Sequence, residues 1–294
     1  MSKINSKNNK KIILLVVILV IIAVLIFLNL QNGKQPNTAH ADSEFTVYML
    51  DVGQGDCFYI DNGDNDIIID SGPDDVSDSI ATDLYKLGAD NIEYMFVSHS
   101  DADHIGGAND IINALDVENF VMSKDERTTK NYKRMISSLK DKNITPIYAY
   151  KDDSFEAGDA HIQILSPDKT KKQADEENDR SLVILITFNG VKYLFTGDAG
   201  EDVEEQILKN YSPDEIDCDL LKVSHHGSKS ATSSEFLKVV TPRIALISAG
   251  DDNSYGHPHS KTLARLYEYC EKLFRTDKNG TVAICEKNGT LWEE

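Results

Sequence analysis

Four side chains of the types that bind metal ions lie within six positions of the segment "SHSDADHIGG", residues 98–107. They are His99, Asp101, Asp103 and His104. In an extended segment His99 and Asp101 point the same way, because side chains alternate with period two, while Asp103 and His104 lie past a bend. The segment offers two mixed nitrogen and oxygen pairs. These suit Zn²⁺, Mn²⁺ or Fe²⁺ better than Ca²⁺, since histidine is a poor calcium ligand.

Other metal-binding residue types follow predicted strands in the same way. Asp70 lies at the end of the strand predicted in "IIIDSG", and Asp198 lies at the end of the strand predicted in "YLFTGDA". Six of the eight histidines fall into three short clusters, each directly after a predicted strand: His99 with His104, His225 with His226, and His257 with His259. One histidine at a strand end is usually structural, but three clusters at the same kind of junction indicate one shared site.

The elements that must position these residues alternate between strands and helices from Phe45 onward. "SLVILITFNGVKYLFTGDA" predicts a hairpin that turns at Asn189-Gly190. "VSDSIATDLYKLG" predicts a helix that ends at Gly88, and "IGGANDIINAL" predicts another. Several antiparallel strands, interspersed helices and two similar halves predict a layered α/β sandwich. Residues 45–294 show no linker or composition shift, and we interpret them as one domain.

The N-terminus predicts a membrane anchor. Residues 1–11 carry four lysines and no acid, and residues 12–28 are apolar without interruption, which is close to the length that spans a bilayer. We predict a cytoplasmic basic segment over 1–11, a transmembrane signal anchor over 12–30 and a linker over 31–44. The positive-inside rule then places the catalytic domain outside the cytoplasmic membrane. Cleavage after Ala41, which would release a secreted protein, is the alternative.

Charge and cysteine content limit the possible functions. Residues 1–40 carry five lysines and no acid, so the remaining residues, with 25 basic and 49 acidic side chains, have a net charge of −24. Such a surface does not attract polyanions at long range, and a phosphate substrate would need local help from metal ions. The four cysteines show no CxxC spacing, which argues against structural zinc. A Cys270–Cys285 disulfide and two free thiols both remain open.

The order of Asp70, "HSDADH", "TGDA" and "SHHGS" resembles the metallo-β-lactamase superfamily. "MLDVGQGDC", "SHSDADHIGG" and "YGHPH" are similar to the metallo-β-lactamase-like domain of the ComEC-type competence proteins, over about residues 45–290. The resemblance implies an α/β fold, a four-layer αβ/βα sandwich, with two divalent metal ions, Zn²⁺ or Mn²⁺, at one edge. The sequence shows one apolar segment and no multi-helix channel, so a DNA-transport role is not carried over.

The resemblance also implies the ligand set. His99 and Asp101 would hold one metal, Asp103 and His104 the other, and Asp198 would bridge them, while one of His225 and His226 would complete the second site. Two departures bear on the first site. Asp101 replaces the second histidine of the HxHxDH pattern, and no histidine stands where a further ligand is expected: the nearest residues are Asn178 and Asp179, and His161 is expected to be a strand residue. An oxygen-rich first site favours Mn²⁺ over Zn²⁺.

Further residues are assigned roles around this centre. Asp103 is also a candidate to orient the nucleophile. His257 is a candidate to contact the phosphate or protonate the leaving group, the alternative being a turn histidine beside Pro258. Substrate contacts are expected from Ser228, the backbone N–H groups after "HHG", and His259. Supporting roles behind the ligands are expected for Asp51, Gln54, Asp56 and Asp70.

These observations predict an extracytoplasmic, membrane-anchored, metal-dependent hydrolase of phosphodiesters, with DNA as the first substrate to test. The acidic surface and the lack of a basic stripe argue against DNA. Hydrolysis of phosphodiesters in a cell-wall polymer or lipid headgroup is a second hypothesis. A non-catalytic surface binding module is a third. β-Lactam hydrolysis is disfavoured, because Asp101 changes the first metal site.

Overall fold

The computed structural model describes residues 43–170 and 178–294. Strands in this part of the chain form an eight-stranded sheet, ordered β15-β14-β1-β2-β3-β4-β5-β6, and a seven-stranded sheet, ordered β13-β12-β11-β10-β9-β8-β7. In chain order the strands are β1 (Phe45–Met49), β2 (Phe58–Asp61), β3 (Asp66–Ile69), β4 (Asn91–Val97), β5 (Asp116–Met122), β6 (Ile147–Tyr148), β7 (Ser154–Ala157), β8 (Ala160–Ser166), β9 (Val183–Phe188), β10 (Val191–Phe195), β11 (Leu220–Lys222), β12 (Ile244–Ile247), β13 (Lys272–Arg275), β14 (Val282–Lys287) and β15 (Thr290–Glu293).

Helices cover the outer faces of the two sheets. They are α1 (Ser77–Leu87), α2 (Ala102–Ile105), α3 (Ala108–Ala114), α4 (Lys130–Asp141), α5 (Glu201–Asn210), α6 (Pro213–Ile216), α7 (Ser234–Val240), α8 (Ser260–Tyr269) and α9 (Thr276–Asn279). In the described part of the chain, short 3₁₀ segments occupy Asp74–Val76, Asn178–Arg180 and Ser224–Gly227.

Three hydrophobic clusters define the layers. Alternate residues of β1, Phe45 and Val47, face a core between the two sheets, where they pack with Tyr193 of the second sheet. Residues of opposite parity, such as Tyr48, pack under α1, α3 and α4. A third cluster joins the outer face of the second sheet to α5, α7 and α8, for example through Phe236. The layers are therefore helices, sheet, sheet and helices, which confirms the predicted four-layer sandwich.

The strand directions bring the motif-bearing loops together. β3, β4 and β5 are parallel, and so are β10, β11, β12 and β13. The carboxyl ends of parallel neighbours meet at one edge of a sheet, so the loops after β3 and β4 adjoin each other, as do those after β10, β11 and β12. The candidate ligands lie in these loops.

Several local predictions are confirmed. The hairpin between β9 and β10 turns at Asn189 and Gly190, which have φ of 49° and 80°, as a type I′ turn requires. Helix α1 ends before Gly88, whose φ is +104°. Cys270 packs against the outer helical layer of the second sheet, whereas Cys285 lies in β14 of the first. None of the four cysteines, all of which lie in the described residues, forms a disulfide, so the Cys270–Cys285 bridge that the sequence left open is not present.

The helix predicted over "IGGANDIINAL" is interrupted near its start. The segment 105–115 is divided into the end of α2 and the separate helix α3, with Gly106 and Gly107 between them. A Cβ on Gly106 would clash with the backbone of Pro73 and Asp74, and one on Gly107 would clash with the Ser71 carbonyl. The two glycines let the metal-motif loop press against the loop after β3. Strands β7 and β13 and the short helices α6 and α9 were not predicted.

The predicted segments over 1–11 and 12–30, and nearly all of the 31–44 linker, lie outside the described residues. Among the helices of residues 43–170 and 178–294, none is long and apolar enough to cross a membrane.

Candidate metal centre

The loop after β4 delivers the first set of side chains, and Asp70 orients them. Both Asp70 oxygens accept from Ser98, one from its backbone N–H and one from its hydroxyl, each at 2.7 Å. The second oxygen also accepts from His104 Nδ1 at 2.9 Å. His99 Nδ1 lies 3.0 Å from the Ser98 hydroxyl, so this ring is oriented through Ser98. Because both histidines are held through Nδ1, their Nε2 atoms are the ones left to bind a ligand.

The loop after β11 delivers His226 in the same manner. Its Nδ1 donates to the Ser248 carbonyl at 2.9 Å, and its Nε2 lies 3.3 Å from Asp103 and 3.5 Å from Asp198. The backbone of both His225 and His226 is left-handed, with φ of 49° and 52°. Left-handed conformation at two consecutive non-glycine residues is unfavourable, and here it points the His226 ring into the protein.

Asp198, at the end of β10, lies between the two sets. One of its carboxylate oxygens is 3.4 Å from His104 Nε2 and the other is 3.5 Å from His226 Nε2. Potential ligand atoms of His99, His104 and Asp198 lie within 4.8 Å of one another, as do those of Asp103, His104 and His226. Asp198 therefore lies between the His104 and His226 imidazoles, where the sequence predicted a bridging carboxylate.

Unpaired polar atoms show that the cluster fits a metal ion. Within the described residues, Nε2 of His99, His104 and His226 and Oδ1 of Asp198 are buried and have no hydrogen-bond partner. Buried polar atoms in proteins are normally bonded, and each such atom left alone costs about 1–3 kcal/mol. The donor set of imidazole nitrogens and carboxylate oxygens suits Zn²⁺ or Mn²⁺. The four unpaired atoms converge where one cation can satisfy several of them.

The electrostatics of the cluster favour positive charge at these imidazoles. Burial opposes ionisation of His226, but the carboxylates of Asp198 and Asp56 raise its pKa to about 10. His104 is buried too, yet Asp198, Asp70 and Asp103 raise its pKa well above the usual range. Burial likewise opposes ionisation of Asp198, but His226 and His104 lower its pKa well below the ordinary value. The site therefore stabilises a cation, either a proton or a metal ion.

Sequence reasoning missed Lys222, which lies at the centre of this cluster. Its side chain is 1% exposed and its Nζ forms an ion pair with Asp56. The same Nζ is 3.5 Å from Asp198 and donates to the Gly197 carbonyl at 2.6 Å. Burial lowers the pKa of a lysine, but the two carboxylates raise it above the ordinary value. Lys222 is thus a fixed positive charge that holds Asp198 from behind. Its position inside the strand segment "LLKVS" gave no signal of this.

A second unpredicted group flanks Asp101. Asp125 is fully buried and accepts from Arg127 Nε at 3.0 Å, from Arg180 Nη1 at 3.0 Å and from the Ser100 N–H at 3.2 Å. Arg127 Nη2 is also 3.3 Å from Asp101. The pKa of Asp101 is lowered by His99, whose Nε2 lies 3.6 Å away, and also by Arg127. Asp101 is therefore shared between His99 and an arginine, which weakens it as a metal ligand.

His225 and His257 line the mouth of the cluster. His225 is partly exposed, its Nε2 lies 3.7 Å from Asp198, and its ring contacts the Asn178 amide at 3.2 Å. Of the histidine pair, His226 is thus the one inside the candidate ligand groups. The His257 ring lies 5.4 Å from that of His225 and 6.2 Å from that of His226. Burial and the two neighbouring histidines lower the pKa of His257 to about 4, so it is neutral near pH 7.

The predicted substrate contacts of the "HHGS" loop are occupied by internal bonds. The Ser228 N–H donates to the His225 carbonyl, and the Lys229 N–H donates to His259 Nδ1. The Ser228 hydroxyl contacts Ser230 at 3.0 Å. Ser228 and His259 therefore brace the loop, and the N–H groups of Ser228 and Lys229 already have partners within the protein.

The predicted supporting residues differ in position. Asp56 and Asp70 contact the cluster directly, as described above. Gln54 Oε1 accepts from the Gly250 N–H at 3.3 Å and so ties the first loop to the loop after β12. Asp51 is exposed, and its Oδ1 accepts from the Gly53 N–H of its own turn.

Residues near the expected extra ligand also have other contacts. Asp179 accepts from the Gly200 N–H at 2.9 Å and anchors the loop after Asp198. His161 is a strand residue, as predicted, and its Nδ1 contacts Glu156 at 2.7 Å.

The four-layer fold and the cluster of candidate ligands at its edge together indicate the protein superfamily to which the chain belongs. The model of the metallo-beta-lactamase superfamily matches residues 50–251, more than half of the chain, and the chain belongs to this superfamily. Its fold is similar to that of the metallo-beta-lactamase fold protein YhfI from Bacillus subtilis, at 13% identity and a TM-score of 0.53, over 85% of this chain and 100% of that one.

Curated relatives narrow the similarity to competence proteins. The chain is 29% identical to ComE operon protein 3 of Bacillus subtilis over 84% of its length and 34% of the relative. It is 31% identical to Recombination protein 2 of Haemophilus influenzae, over 81% of this chain and 28% of that one. The chain thus spans about a third of the length of these relatives. The predicted resemblance to the metallo-β-lactamase-like domain of competence proteins is confirmed.

Proposed function

We propose that the protein is a metal-dependent hydrolase of phosphodiesters and that single-stranded DNA is its substrate. The observation that carries the proposal is the convergence of the unpaired His104 Nε2, His226 Nε2 and Asp198 Oδ1 on one buried place beside Asp103. Several unpaired ligand atoms in one place are costly unless a cation binds there.

The residues of the chain divide the work as follows. Asp103, His104, Asp198 and His226 would hold one divalent ion, Zn²⁺ or Mn²⁺, and His99 with Asp101 would contribute to a weaker second site. A divalent ion held there supplies Lewis acidity and lowers the pKa of a water molecule. Asp103, whose side chain is 33% exposed, would accept a hydrogen bond from a water molecule at this site and so orient it.

His257 is suited to hydrogen bonding with the substrate. The ring lies beside His225 at the mouth of the cluster, and its lowered pKa keeps it neutral near pH 7. A neutral imidazole can donate one hydrogen bond to a phosphoryl oxygen without first binding a proton. Of the two roles predicted for His257, contact with the phosphate is therefore favoured over proton donation by an imidazolium.

The surroundings of the site favour a phosphodiester over a β-lactam. Lys222 lies behind Asp198, and Arg127 and Arg180 converge on Asp125 beside Asp101. These positive groups are already paired with Asp56, Asp198 and Asp125, so the positive charge that an anionic phosphodiester needs would come from a bound divalent ion. DNA is named first because the name of Recombination protein 2 refers to recombination, which is a process of DNA.

The location is proposed from the sequence. The lysines of residues 1–11 and the apolar run over 12–28 support an uncleaved anchor in the cytoplasmic membrane, with the hydrolase domain outside. Fusion of a reporter active only outside the cytoplasm to the C-terminus tests this. An inactive reporter in intact cells would reject it.

The decisive experiment uses the full chain, stripped of metal and then supplied with Mn²⁺ or Zn²⁺. We expect bound metal and hydrolysis of single-stranded DNA and of bis(p-nitrophenyl) phosphate, with both activities abolished by EDTA and by Asp103→Asn. Asp51→Asn is the matched control, because Asp51 is exposed and bonds its own turn.

Other outcomes separate the alternatives. Activity that survives EDTA, or a failure to bind either metal, rejects the hydrolase proposal and favours a binding module. Cleavage of a poly(glycerol phosphate) chain with DNA left intact moves the assignment to a cell-wall polymer. Hydrolysis of a β-lactam with no phosphodiester cleaved would overturn the substrate class.

A further inference from the structure

The loop after β12 presents an aromatic side chain at the mouth of the candidate site. Tyr255 is 66% exposed, one of the more exposed large hydrophobic residues in the described chain. Its ring stacks on that of His257, with centroids 5.6 Å apart and planes inclined by 21°. The His257 ring in turn stacks toward His226, with centroids 6.2 Å apart and planes inclined by 29°. Three nearly parallel rings thus lead from solvent to the buried cluster.

Asn253 holds this loop in place. Its side-chain amide donates to the carbonyls of Gly250 and His257, at 2.9 and 2.6 Å. Its side-chain oxygen accepts from the N–H groups of Tyr255 and His257, at 3.2 and 3.0 Å. The exposed Tyr255 ring is therefore carried by a loop whose backbone is held in place by the hydrogen bonds of Asn253. A preorganised ring loses little conformational freedom when a ligand packs on it.

We propose that Tyr255, backed by His257, is a stacking platform for a nucleobase that flanks the phosphodiester to be cleaved. The proposal rests on the proposed phosphodiesterase function and names the substrate class as nucleic acid. Every base has a flat π-face, and stacking of a base on an aromatic side chain contributes about 1–3 kcal/mol without regard to sequence. The ring series places that face next to the position where the phosphate binds.

The charge of the protein makes such a platform useful. With a net charge of −24 over residues 41–294, the domain gains nothing from long-range attraction of a polyanion. Stacking needs no net charge and survives added salt, whereas contacts to phosphate weaken with salt. A base-stacking ring therefore contributes binding free energy for a nucleic acid, which long-range attraction by the acidic surface does not. A glycerol phosphate polymer has no flat ring to place there.

The test compares two oligonucleotides that differ only at the base. One is an oligothymidylate; the other carries an abasic residue next to the scissile linkage, so that the diester and the sugar ring are retained. We expect the full chain loaded with Mn²⁺ to cleave the intact oligonucleotide about tenfold more efficiently, which is the low end of the stacking range. Tyr255→Ala should reduce this ratio to about one, and Tyr255→Trp should keep it. Tyr267→Ala is the matched control, since Tyr267 is 69% exposed on α8.

A second measurement does not depend on hydrolysis. An oligonucleotide containing 2-aminopurine is quenched when its base stacks on an aromatic ring, and we expect quenching by the wild-type chain in EDTA that is lost in Tyr255→Ala and kept in Tyr267→Ala. A ratio that Tyr255→Ala leaves unchanged, or quenching that it does not alter, overturns the platform while leaving the phosphodiesterase proposal intact. Quenching that depends on Tyr255 without any cleavage supports the platform and rejects the hydrolase.

Discussion

The guanidinium of Arg127 lies 3.3 Å from the carboxylate of Asp101, the residue that stands in the place of a histidine in the metal motif. Arg127 is itself held by Asp125, at 2.9 Å. The Asp101 carboxylate therefore interacts with the arginine, and this contact would compete with any cation that binds beside His99. Asp103, the other aspartate of the motif, instead lies 3.3 Å from His226 Nε2.

Arg127→Gln should strengthen the metal position beside His99. Removal of the arginine frees the Asp101 carboxylate, which is 34% exposed, and a partly solvated pair of this kind is worth about 1 kcal/mol. The affinity for a second Mn²⁺ ion should rise about fivefold to tenfold, as measured by calorimetric titration of the stripped protein. Arg134→Gln, which removes a pair with Asp74, should leave metal binding unchanged. Weaker binding of the second ion would show that Arg127 supports that position instead.

Lys222→Met should destabilise the metal-free protein strongly. The substitution leaves Asp56, 1% exposed, without its ion-pair partner, and an uncompensated buried charge costs about 3–5 kcal/mol. Urea unfolding in EDTA measures this loss. Lys209→Met, which breaks an exposed pair with Glu205, should cost less than about 1 kcal/mol.

The double variant Asp56→Asn with Lys222→Met separates charge from packing. If the unpaired carboxylate is the cause, the double variant should recover most of the stability lost in Lys222→Met. No recovery would show that the loss comes from the lysine side chain itself, through its bonds to Gly197 or its contact with Asp198.

Metal binding should raise the thermal stability of the protein. The carboxylates of Asp103 and Asp198 and the unpaired histidine nitrogens gain a common partner only in the folded state, so a ligand at 100 times its dissociation constant should add about 2.7 kcal/mol. Differential scanning calorimetry with Mn²⁺ or Zn²⁺, followed by EDTA, measures the gain and its reversal. Asp198→Asn should lose most of it. A melting temperature indifferent to both metals would contradict the ligand assignment.

The stability of the fold should fall as the pH rises from about 4 to 7 through Asp66 of β3. Burial raises the pKa of Asp66 to about 7, although Tyr59 and Asn62 donate hydrogen bonds to it at 2.6 and 3.0 Å. An unfolded aspartate has a pKa near 4, so in this interval the native state binds more protons than the unfolded state and stability decreases with pH.

Asp66→Asn isolates this contribution. In this variant the free energy of unfolding should not show the decrease assigned to Asp66, which is on the order of a few kcal/mol. The variant should therefore become more stable relative to the wild type as the pH rises. Asp64→Asn, an exposed residue of the same turn, is the control. Urea unfolding at pH 4.5, 6 and 8 measures the difference. A difference between Asp66→Asn and the wild type that is constant over this range would contradict the raised pKa.

The sandwich fold and most of the candidate ligands could be predicted from the sequence, and there is a physical reason for this. Candidate ligands such as His99 and Asp198 come within three residues of the ends of strongly apolar strands, and the carboxyl ends of parallel strands meet at one edge. Local pattern therefore determines the position of these side chains. The choice of His226 over His225 could not be made in this way, because it depends on the left-handed backbone of both residues.

The charged residues behind the ligands could not be predicted, because their environment is tertiary. Lys222 lies in a short strand whose neighbours in the sequence give no sign that Asp56 approaches it from the other sheet. Arg127 and Arg180 lie in charged stretches that resemble solvated loops, yet both converge on the buried Asp125. The short edge strands β7 and β13 were missed for the same reason: pairing with a neighbour, and not local pattern, specifies them.

The candidate site joins two parts of the chain that are far apart in the sequence. Asp70, His99 and His104 follow strands of the first sheet, whereas Asp198 and His226 follow strands of the second. A chain synthesised from its N-terminus therefore exposes half of the ligands well before the other half exists. If the proposed ligand set from both halves is needed to hold the ion, metal binding would follow the packing of the two sheets against each other. On the proposed function, an incompletely folded chain would then lack both the metal and the activity that depends on it.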